Sequence, residues 1–564
     1  MTSRSQWTRW KAQAFQLPVG KPRRPQSRWY PKLEPLEDRL LPSLLPHLLK
    51  DINPGAASSS PHEFTAVAGT VFFAANDGVH GVELWRSNGT ALGTTLVKDI
   101  SHASGNSNPH YLTNVNGTLF FAATDGSHGY ELWRSNGTAA GTVMVKDIKP
   151  GKYGSNPSYL TNLNGTLFFQ ADDGVHGSEL WRSDGTAAHT QIVLDLNPGI
   201  NPSDPADLTV VNGTLFFQAH TSQTGRELFR SNGTAAGTSL VKDIAQAGNN
   251  AYPSDLLNIN GTLFFKATDG VHGYEVWRSD GTAAGTVMLK DINPGPGGAL
   301  PYALTNVNGT LFFQATDGTH GFQLWRSDGT AAGTLMVKVI NLSGSSYPEN
   351  LTNVNGTLFF SANNGVSGTE LWRSNGTTAG TVLVADIDPG PASSYPRYLT
   401  NVNGTLFFAA TNGVSGKELW QSNGTGLGTV LVRDINPGSS GSYPSYLTNA
   451  GGTLFFAADN GFRGIEPWVL PTPAVRAQAT SDAPTGIVAF MDGSNAVGKS
   501  PLGNAQATPS TGGLVAGNDA ITAIYPESGT FLSSTSADYR QDVARAAAGL
   551  HRPHKTVSDP EAPW

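Results

Sequence analysis

The sequence contains no cysteine, few charged side chains and no long apolar run, and each absence excludes a class of protein. Without cysteine there is no disulfide scaffold and no thiolate metal site. Charged residues make up 14%, against about 25% in an average soluble domain, so uncharged polar side chains and glycine must cover much of the surface. The stretch nearest to a membrane span, 40–49, is broken by Pro42 and Pro46. We therefore expect no membrane span.

The charge of the chain is unevenly distributed. The formal net charge is −7, yet residues 1–43 hold nine basic and three acidic side chains, so the remainder is acidic. An acidic body is unsuited to binding a phosphate backbone. We expect no nucleic-acid partner.

What the chain does have is a repeat. A segment of the form GTLFF…ELW…KDI occurs nine times with a period of 48 residues and one step of 47. The first glycines of the copies are Gly69, Gly117, Gly165, Gly213, Gly261, Gly309, Gly356, Gly404 and Gly452. Repeats of this length are supersecondary units that bury their apolar faces against their neighbours.

Each copy predicts four short strands, A to D, separated by turn residues. In one copy these are 398–402, 405–410, 418–422 and 429–435. Asn403-Gly404 and Asn423-Gly424 lie between strands and are typical of tight antiparallel hairpins. The continuous apolar run of strand B indicates a sheet covered on both faces. The copies therefore predict an all-β fold, a β-propeller of about nine four-stranded antiparallel blades.

The ends of the repeat array predict a closed ring. The last copy lacks a KDI strand, and the missing strand D precedes the first copy at 48–52. An N-terminal strand that completes the C-terminal blade removes two exposed sheet edges. Two smaller propellers or a β-solenoid remain alternatives. We assign 44–470 to the propeller, 1–43 to a basic leader that is disordered or processed, and 471–564 to a low-complexity tail with a short helix at 537–550.

The repeated polar and aromatic positions are interpreted first as parts of the blade. Glu in strand C and Lys and Asp in strand D recur in equivalent places, which predicts cross-strand ion pairs or turn caps and not a catalytic pair. The recurring tryptophan predicts packing between blades. It occurs at Trp85, Trp133, Trp181, Trp277, Trp325, Trp372, Trp420 and Trp468.

The loop between strands B and C supplies the candidate ligand-binding residues. They are His80, His128, His176, His272 and His320. Equivalent atoms of neighbouring blades lie too far apart to share one metal ion, so we predict no metal site and no cofactor, with calcium as an alternative. His189, His220 and Gln323 break the repeat and are where a hidden site would be sought. We identify no catalytic residue.

Two motifs resemble known families. The segments ELWRSDGTAAGT and VKDINPG resemble the ELWxxDGT family of bacterial repeat proteins, and the resemblance covers nearly all of residues 45–470. That family implies no particular activity. The segment 33–43, LEPLEDRLLPS, is similar to the LEPR-XLL motif of exported planctomycete proteins, which implies an extracellular or cell-surface location.

The expected function is that of a non-enzymatic extracellular protein, used for adhesion, surface assembly or binding of an unknown protein or glycan. The alternative is a propeller enzyme, a polysaccharide hydrolase or lyase. That alternative requires unlike carboxylates or histidines that converge in the central channel and so depart from the repeat symmetry.

Overall fold

The computed structural model describes residues 45–102 and 104–471 in full, together with the backbone of several strands between 487 and 558. The expected leader, 1–43, lies outside the described residues. Within 45–471 the chain is almost entirely strand and turn, with one 3₁₀ turn at Ala235–Gly237. No helix in this part of the chain has the length and apolar character that crossing a membrane requires.

Nine copies of the strand pattern follow one another along the chain. The A strands are His62–Val67, His110–Val115, Ser158–Leu163, Ala206–Val211, Ser254–Ile259, Tyr302–Val307, Glu349–Val354, Arg397–Val402 and Ser445–Ala450. The B strands are Thr70–Asn76, Thr118–Thr124, Thr166–Asp172, Thr214–Thr221, Thr262–Thr268, Thr310–Thr316, Thr357–Asn363, Thr405–Thr411 and Thr453–Asp459.

The outer half of each blade repeats in the same way. The C strands are Val82–Ser87, Tyr130–Ser135, Ser178–Ser183, Gly225–Ser231, Tyr274–Ser279, Phe322–Ser327, Thr369–Ser374, Lys417–Ser422 and Ile465–Pro471. The D strands of blades 1 to 8 are Thr95–Lys98, Val143–Lys146, Gln191–Leu194, Ser239–Lys242, Val287–Met288, Leu335–Lys338, Val382–Ala385 and Thr429–Arg433.

The strands form nine separate antiparallel sheets, each in the order A-B-C-D. Strand A of every blade contacts strand A of the next, and strand A of blade 9 contacts strand A of blade 1. The A strands therefore form the inner wall of a closed ring. The prediction of a nine-bladed propeller is confirmed, and the alternatives of two smaller propellers or a solenoid are wrong.

The ring closes through the N-terminal strand. The strand His47–Leu48 pairs with strand C of blade 9, with His47 opposite Val469 and Leu48 opposite Trp468. The amide of Leu49 then donates to the carbonyl oxygen of Pro467 at 2.9 Å. This segment supplies the missing strand D, as the sequence predicted, although the paired strand is shorter than 48–52.

The core of the ring lies between neighbouring blades. The second phenylalanine of each LFF run, as in Phe73 and Phe121, is fully buried. The tryptophan of strand C packs into the same interfaces: Trp133 of blade 2 packs with Phe72 and Val97 of blade 1. Burial of a large aromatic side chain stabilises by a few kcal/mol, about 25 cal/mol per Å². The repeated tryptophans are thus placed between blades.

The strand-D lysine extends this contact. Lys98 lies with its Nζ atom 5.8 Å from the ring centroid of Trp133 and donates to the carbonyl oxygen of Thr142 at 2.8 Å. Four other lysines make the same cation–π contact with the tryptophan of the next blade: Lys50 with Trp85, Lys146 with Trp181, Lys242 with Trp277 and Lys338 with Trp372. These lysines join adjacent blades, and they do not form the expected ion pairs with the strand-C glutamates.

The strand-C glutamate holds the connection between strand D and the next strand A. In blade 1 the fully buried Glu83 accepts hydrogen bonds from the amide of Ile100 at 2.9 Å and from the amide and hydroxyl of Ser107 at 3.0 and 2.7 Å. In blade 9, Glu466 makes the equivalent bonds to Ile52 and Ser59, near the N-terminus. The carboxylate therefore satisfies backbone donors that burial would otherwise leave unpaired.

The tail contains strands and not only linker. Ile487–Asp492, Asn495–Pro501, Asn518–Tyr525, Ser534–Thr535 and Tyr539–Asp542 form one antiparallel sheet, and Gln506–Ala507 pairs with Val557–Ser558. The strand Tyr539–Asp542 falls within the range of the expected helix 537–550, which is therefore corrected at these positions. The other positions of that range lie outside the described residues.

Leu49 provides a test of ring closure. It is 2% exposed and packs with Ile52, Phe73 and Trp85 between blades 9 and 1. We expect Leu49→Ala to lower the free energy of unfolding by about 2–5 kcal/mol, because it leaves a cavity at the closing interface. Leu92→Ala, at a position 96% exposed, is the control and should change it by less than about 0.5 kcal/mol. Equal effects in denaturant titrations would contradict the closure.

The buried glutamates predict a pH dependence of stability. Burial raises the pKa of Glu179 to about 7, against the opposing hydrogen bond from Ser203. A carboxyl group whose pKa is higher in the folded than in the unfolded state makes the free energy of unfolding fall as pH rises from about 4.5 to about 7. We expect Glu179→Gln to flatten this slope by about 1.4 kcal/mol per pH unit. The exposed Glu349→Gln is the control, and parallel curves for wild type and Glu179→Gln would contradict the assignment.

Candidate active site

The inner wall of the ring is held together by two ladders of side-chain hydrogen bonds. In six of the nine blades the threonine at the fourth position of strand A donates to a carbonyl of the next blade, as Thr161 Oγ1 does to Leu208 at 3.4 Å and Thr209 Oγ1 to Leu256 at 3.2 Å. The asparagine that follows donates backwards, as Asn162 Nδ2 does to the carbonyl of Asn114 at 3.4 Å. These bonds fix neighbouring A strands relative to each other.

Each A strand begins with a bulge. The register with strand B shifts between the first and fourth residues of strand A in all nine blades. The second residue has a left-handed backbone in every copy. These residues are Glu63, Tyr111, Tyr159, Asp207, Asp255, Ala303, Asn350, Tyr398 and Tyr446, with φ between 53° and 61°. Such bulges redirect a side chain, and a positive φ in non-glycine residues costs about 1–3 kcal/mol.

The second position of strand A also differs in chemistry between the copies. The neighbouring third and fourth positions are mostly leucine and threonine, whereas this position carries three acids, four tyrosines, an alanine and an asparagine. The structure therefore brings the departures from repeat symmetry to the channel wall. The sequence analysis missed these channel residues because it relied on the positions that recur in every copy. An alignment of the nine copies, position by position, would have shown where they differ.

Two of the acids occupy adjacent inner strands in unlike surroundings. Asp207 of blade 4 accepts a hydrogen bond from Gln218 Nε2 at 3.0 Å. Asp255 of blade 5 lies 3.5 Å from Lys266 Nζ. Gln218 and Lys266 occupy the same position of strand B in successive blades, where blades 1, 2, 8 and 9 have alanine.

The electrostatics of the two acids differ as well. Burial raises the pKa of Asp207, the hydrogen bond from Gln218 opposes this, and the charge of Asp255 adds to the rise. Lys266 places a positive charge 3.5 Å from the Asp255 carboxylate, a neighbour of a different kind from Gln218. A proton donor beside a carboxylate is the arrangement that acid–base catalysis requires.

A cavity runs along this part of the channel wall. It has a volume of about 680 Å³, and Tyr111, Tyr159, Asp207, Asp255 and Lys266 line it. The rings of Tyr111 and Tyr159 stack with their centroids 6.3 Å apart and their planes at 28°. Burial and the charge of Asp207 raise the pKa of the Tyr159 hydroxyl. The cavity thus combines an aromatic wall with a pair of unlike carboxylates.

The five candidate histidines are placed elsewhere, each within its own B–C loop. Each Nδ1 atom lies 2.7 Å from an aspartate three residues earlier, as His272 does from Asp269, and the same aspartate accepts the amides of the loop. The hydrogen bond to Asp269 raises the pKa of His272. The histidine side chains are 38–46% exposed and remain open to a ligand, but they do not converge.

The three residues that break the repeat elsewhere do not form a site. His189 lies 2.7 Å from Asp184 on the outer edge of blade 3, and its side chain is 72% exposed. His220 lies at the end of a B strand, opposite Arg226. Gln323 replaces the buried glutamate: it accepts from the amide of Ile340 at 2.9 Å and donates to the carbonyl of Gly344 at 2.8 Å.

In the part of the chain that the structure describes, no group of three or more potential ligands is placed to hold a metal ion. One carboxylate oxygen of the strand-D aspartate is buried without a hydrogen-bond partner in seven copies. These are Asp51, Asp99, Asp147, Asp195, Asp243, Asp291 and Asp434. Calcium remains a prediction.

Comparison with known proteins gives structural neighbours only. No family model and no curated protein matches the chain. Solved structures that are similar include puromycin hydrolase (TM-score 0.34, 13% identity, 74% of this chain and 60% of that one). Two others are a prolyl endopeptidase (0.37, 10%, 64% and 54%) and a puromycin-hydrolysing peptidase of Mycobacterium tuberculosis (0.33, 13%, 65% and 60%). At these values the likeness concerns the fold, and this chain matches about 60% or less of their length.

The expectation of a non-enzymatic protein is corrected at this point. The similar solved structures are a puromycin hydrolase and peptidases, which are enzymes and not adhesion proteins, so the expected non-enzymatic function finds no support among them. The physical reason lies in the channel. Ninefold repetition predicts like environments and therefore no catalytic pair, but Asp207 and Asp255 stand in unlike ones.

Proposed function

We propose that this protein is a polysaccharide hydrolase whose active site is the channel cavity at Asp207 and Asp255. The observation that carries the proposal is the pair of unlike carboxylates on adjacent inner strands. Glycoside hydrolysis uses such a pair, with one carboxyl group as proton donor and the other as an ionised base or nucleophile. The stacked Tyr111 and Tyr159 add the flat aromatic surface on which sugar rings pack.

The two acids have distinct proposed roles. Asp207, partly buried and protonated at a higher pH than an ordinary aspartate, donates its proton to the glycosidic oxygen as the bond to the anomeric carbon breaks. Asp255 faces the positive charge that develops on the anomeric carbon. Water then adds to that carbon and gives up a proton to the Asp207 carboxylate, which restores the acid. Lys266 forms an ion pair with Asp255, and Gln218 orients Asp207 by a hydrogen bond.

Glycan hydrolysis agrees with the side chains better than serine-dependent peptide hydrolysis does. Within 45–471, no serine hydroxyl is hydrogen-bonded to a histidine ring that also contacts a carboxylate. The nucleophile, base and orienting acid of a serine peptidase require that arrangement. The carboxylate pair needs no such partner.

We also propose that the protein is an exported member of the ELWxxDGT repeat family, with an extracellular glycan as its partner. The repeat motif and the LEPR-XLL-like segment at 33–43 support this. A polymeric substrate outside the cell is consistent with a large, weakly charged, polar surface. Immunodetection in envelope and culture-medium fractions is the measurement, and retention in the cytoplasm would oppose it.

The carboxylate pair is tested by removing either acid. We expect Asp207→Asn and Asp255→Asn each to lower kcat on a cleaved polysaccharide by about 100-fold or more, because each removes one partner of the acid–base pair. Reducing-end release from a panel of polysaccharides is the measurement. An unsaturated, ultraviolet-absorbing product would indicate a lyase and oppose the hydrolase assignment.

The matched control for these variants is Glu63→Gln. Glu63 occupies the same position of strand A in blade 1, but its carboxylate accepts the amide of Leu112 at 3.2 Å, a bond that glutamine can also accept. Activity should therefore be retained. Loss of activity in all three variants to the same extent, with unchanged thermal unfolding, would contradict the assignment to Asp207 and Asp255.

The proton donor predicts the alkaline limb of the pH profile. Because Asp207 must be protonated to act, kcat/KM should fall as pH rises through its raised pKa. The hydrogen bond from Gln218 opposes that rise, so Gln218→Leu should move the alkaline limb to higher pH. A limb that stays in place or moves to lower pH in this variant would exclude Asp207 as the donor.

A further inference from the structure

A second position departs from the repeat symmetry in a continuous arc. Two residues before each strand A, the loop from strand D carries Ser60, Asn108, Asn156 and Asp204 in blades 1 to 4. In blades 5 to 9 the same position carries Tyr252, Leu300, Tyr347, Tyr395 and Tyr443. One half of this rim is therefore small and polar, and the other half is large and mostly aromatic.

The rim side chains are exposed. Tyr347, Tyr395 and Tyr443 are 53%, 52% and 61% exposed, and Tyr252 and Leu300 are 46% and 44% exposed. Five large apolar side chains in successive blades form an exposed surface that needs an occupant, since soluble proteins rarely leave such patches uncovered without a function.

The backbone holds these side chains rigidly and at a cost. All nine residues at this position have positive φ, between 43° and 51°. The amide of Tyr443 donates to the carbonyl of Lys417 at 3.0 Å, and that of Tyr395 to Thr369 at 3.2 Å. Asparagine, which tolerates this backbone, occupies the position in two other blades, whereas tyrosine is strained there. The tyrosines thus contribute something that the turn itself does not require.

The arc is continuous with the proposed active site. A second cavity, of about 560 Å³, is lined by the rim residues Tyr252 and Leu300, by Tyr302 at the start of strand A of blade 6, and by Gln218 and Lys266. Those last two residues contact Asp207 and Asp255. A polymer lying on the rim would therefore lead into the carboxylate pair.

Two positive charges lie in blade 8, one of the blades of the arc. Arg397 begins strand A of blade 8 and is exposed, and Lys417 begins strand C of the same blade. Neither forms an ion pair within 45–471. Lys417 is partly buried and near enough to Arg397 for the two charges to repel, which lowers the pKa of Lys417 after the larger effect of burial. The chain outside residues 1–43 is acidic overall, and these two cations without an ion-pair partner are where an anionic ligand group fits it.

We infer that the rim of blades 5 to 9 is a binding track for an acidic polysaccharide, whose sugar rings stack on Tyr347, Tyr395 and Tyr443 and whose carboxylates contact Arg397 and Lys417. The inference rests on the proposed hydrolase function and names its substrate class. Aromatic stacking supplies affinity that is independent of the exact sugar, and the cations select uronate-containing chains.

The test measures binding separately from cleavage. Full-length Asp207→Asn protein is used in affinity electrophoresis with polygalacturonate, alginate and hyaluronate, and with methyl-esterified polygalacturonate as the uncharged counterpart. We expect at least one acidic polymer to be bound and its ester to be bound about tenfold more weakly. Failure to retard the protein with any acidic polymer, or equal retardation by the ester, would overturn the inference.

Variants locate the binding on the track. Tyr395→Ala and Tyr443→Ala should each weaken binding by about fivefold or more, Tyr395→Phe should retain it, and Arg397→Gln should abolish the preference for the acid over the ester. Tyr153→Ala, at a loop tyrosine 73% exposed outside the arc, is the control and should bind as the parent does. Unchanged binding in the arc variants overturns the inference, even if the wild-type protein cleaves the polymer. If the wild-type protein binds the polymer without cleaving it, the hydrolase proposal is refuted and the binding track is retained.

Discussion

The interaction on which the rest of the structure depends is the buried carboxylate of strand C. In each blade that carries it, this group accepts amide hydrogens from the two ends of the loop between strand D and the next strand A, as Glu83 does from Ile100 and Ser107. It therefore fixes the path by which one blade leads into the next. Glu466 makes the same bonds to the N-terminal segment, so one contact both propagates the ring and closes it.

A ring built from near-identical connections leaves its variable side chains in a few places. Residues that join one blade to the next recur because each blade must match its neighbours. They are the strand-C glutamates, the buried phenylalanines of strand B and the threonines of strand A. The start of strand A and the loop before it are free to vary, since their side chains face the channel and its rim. Asp207, Asp255 and the rim tyrosines are found there. The connections that the strand-C glutamates hold in place allow these residues to keep strained backbone conformations.

The sequence predicted most of the fold and little of the site, for physical reasons. Strand positions, blade number and closure followed from turn residues and apolar runs, which are local signals. For example, strand 405–410 is observed as Thr405–Thr411. Of the two roles expected for the glutamates, the turn cap is observed and the cross-strand ion pair is not, because their partners are backbone amides of the loop. The channel acids were overlooked because nothing local shows that strand A is the inner strand, and the lysines were misassigned because their tryptophan partners lie in the next blade.

The central claim is that substrate reacts between Asp207 and Asp255, inside the ring. The most direct measurement is a crystal structure of the Asp207→Asn variant with an acidic oligosaccharide. The account predicts sugar rings against Tyr111 and Tyr159, with a glycosidic oxygen within hydrogen-bond distance of the side chain at position 207 and Asp255 facing the adjacent anomeric carbon. Oligosaccharide bound at the B–C loop histidines or at the outer edge, with an empty channel, would contradict it.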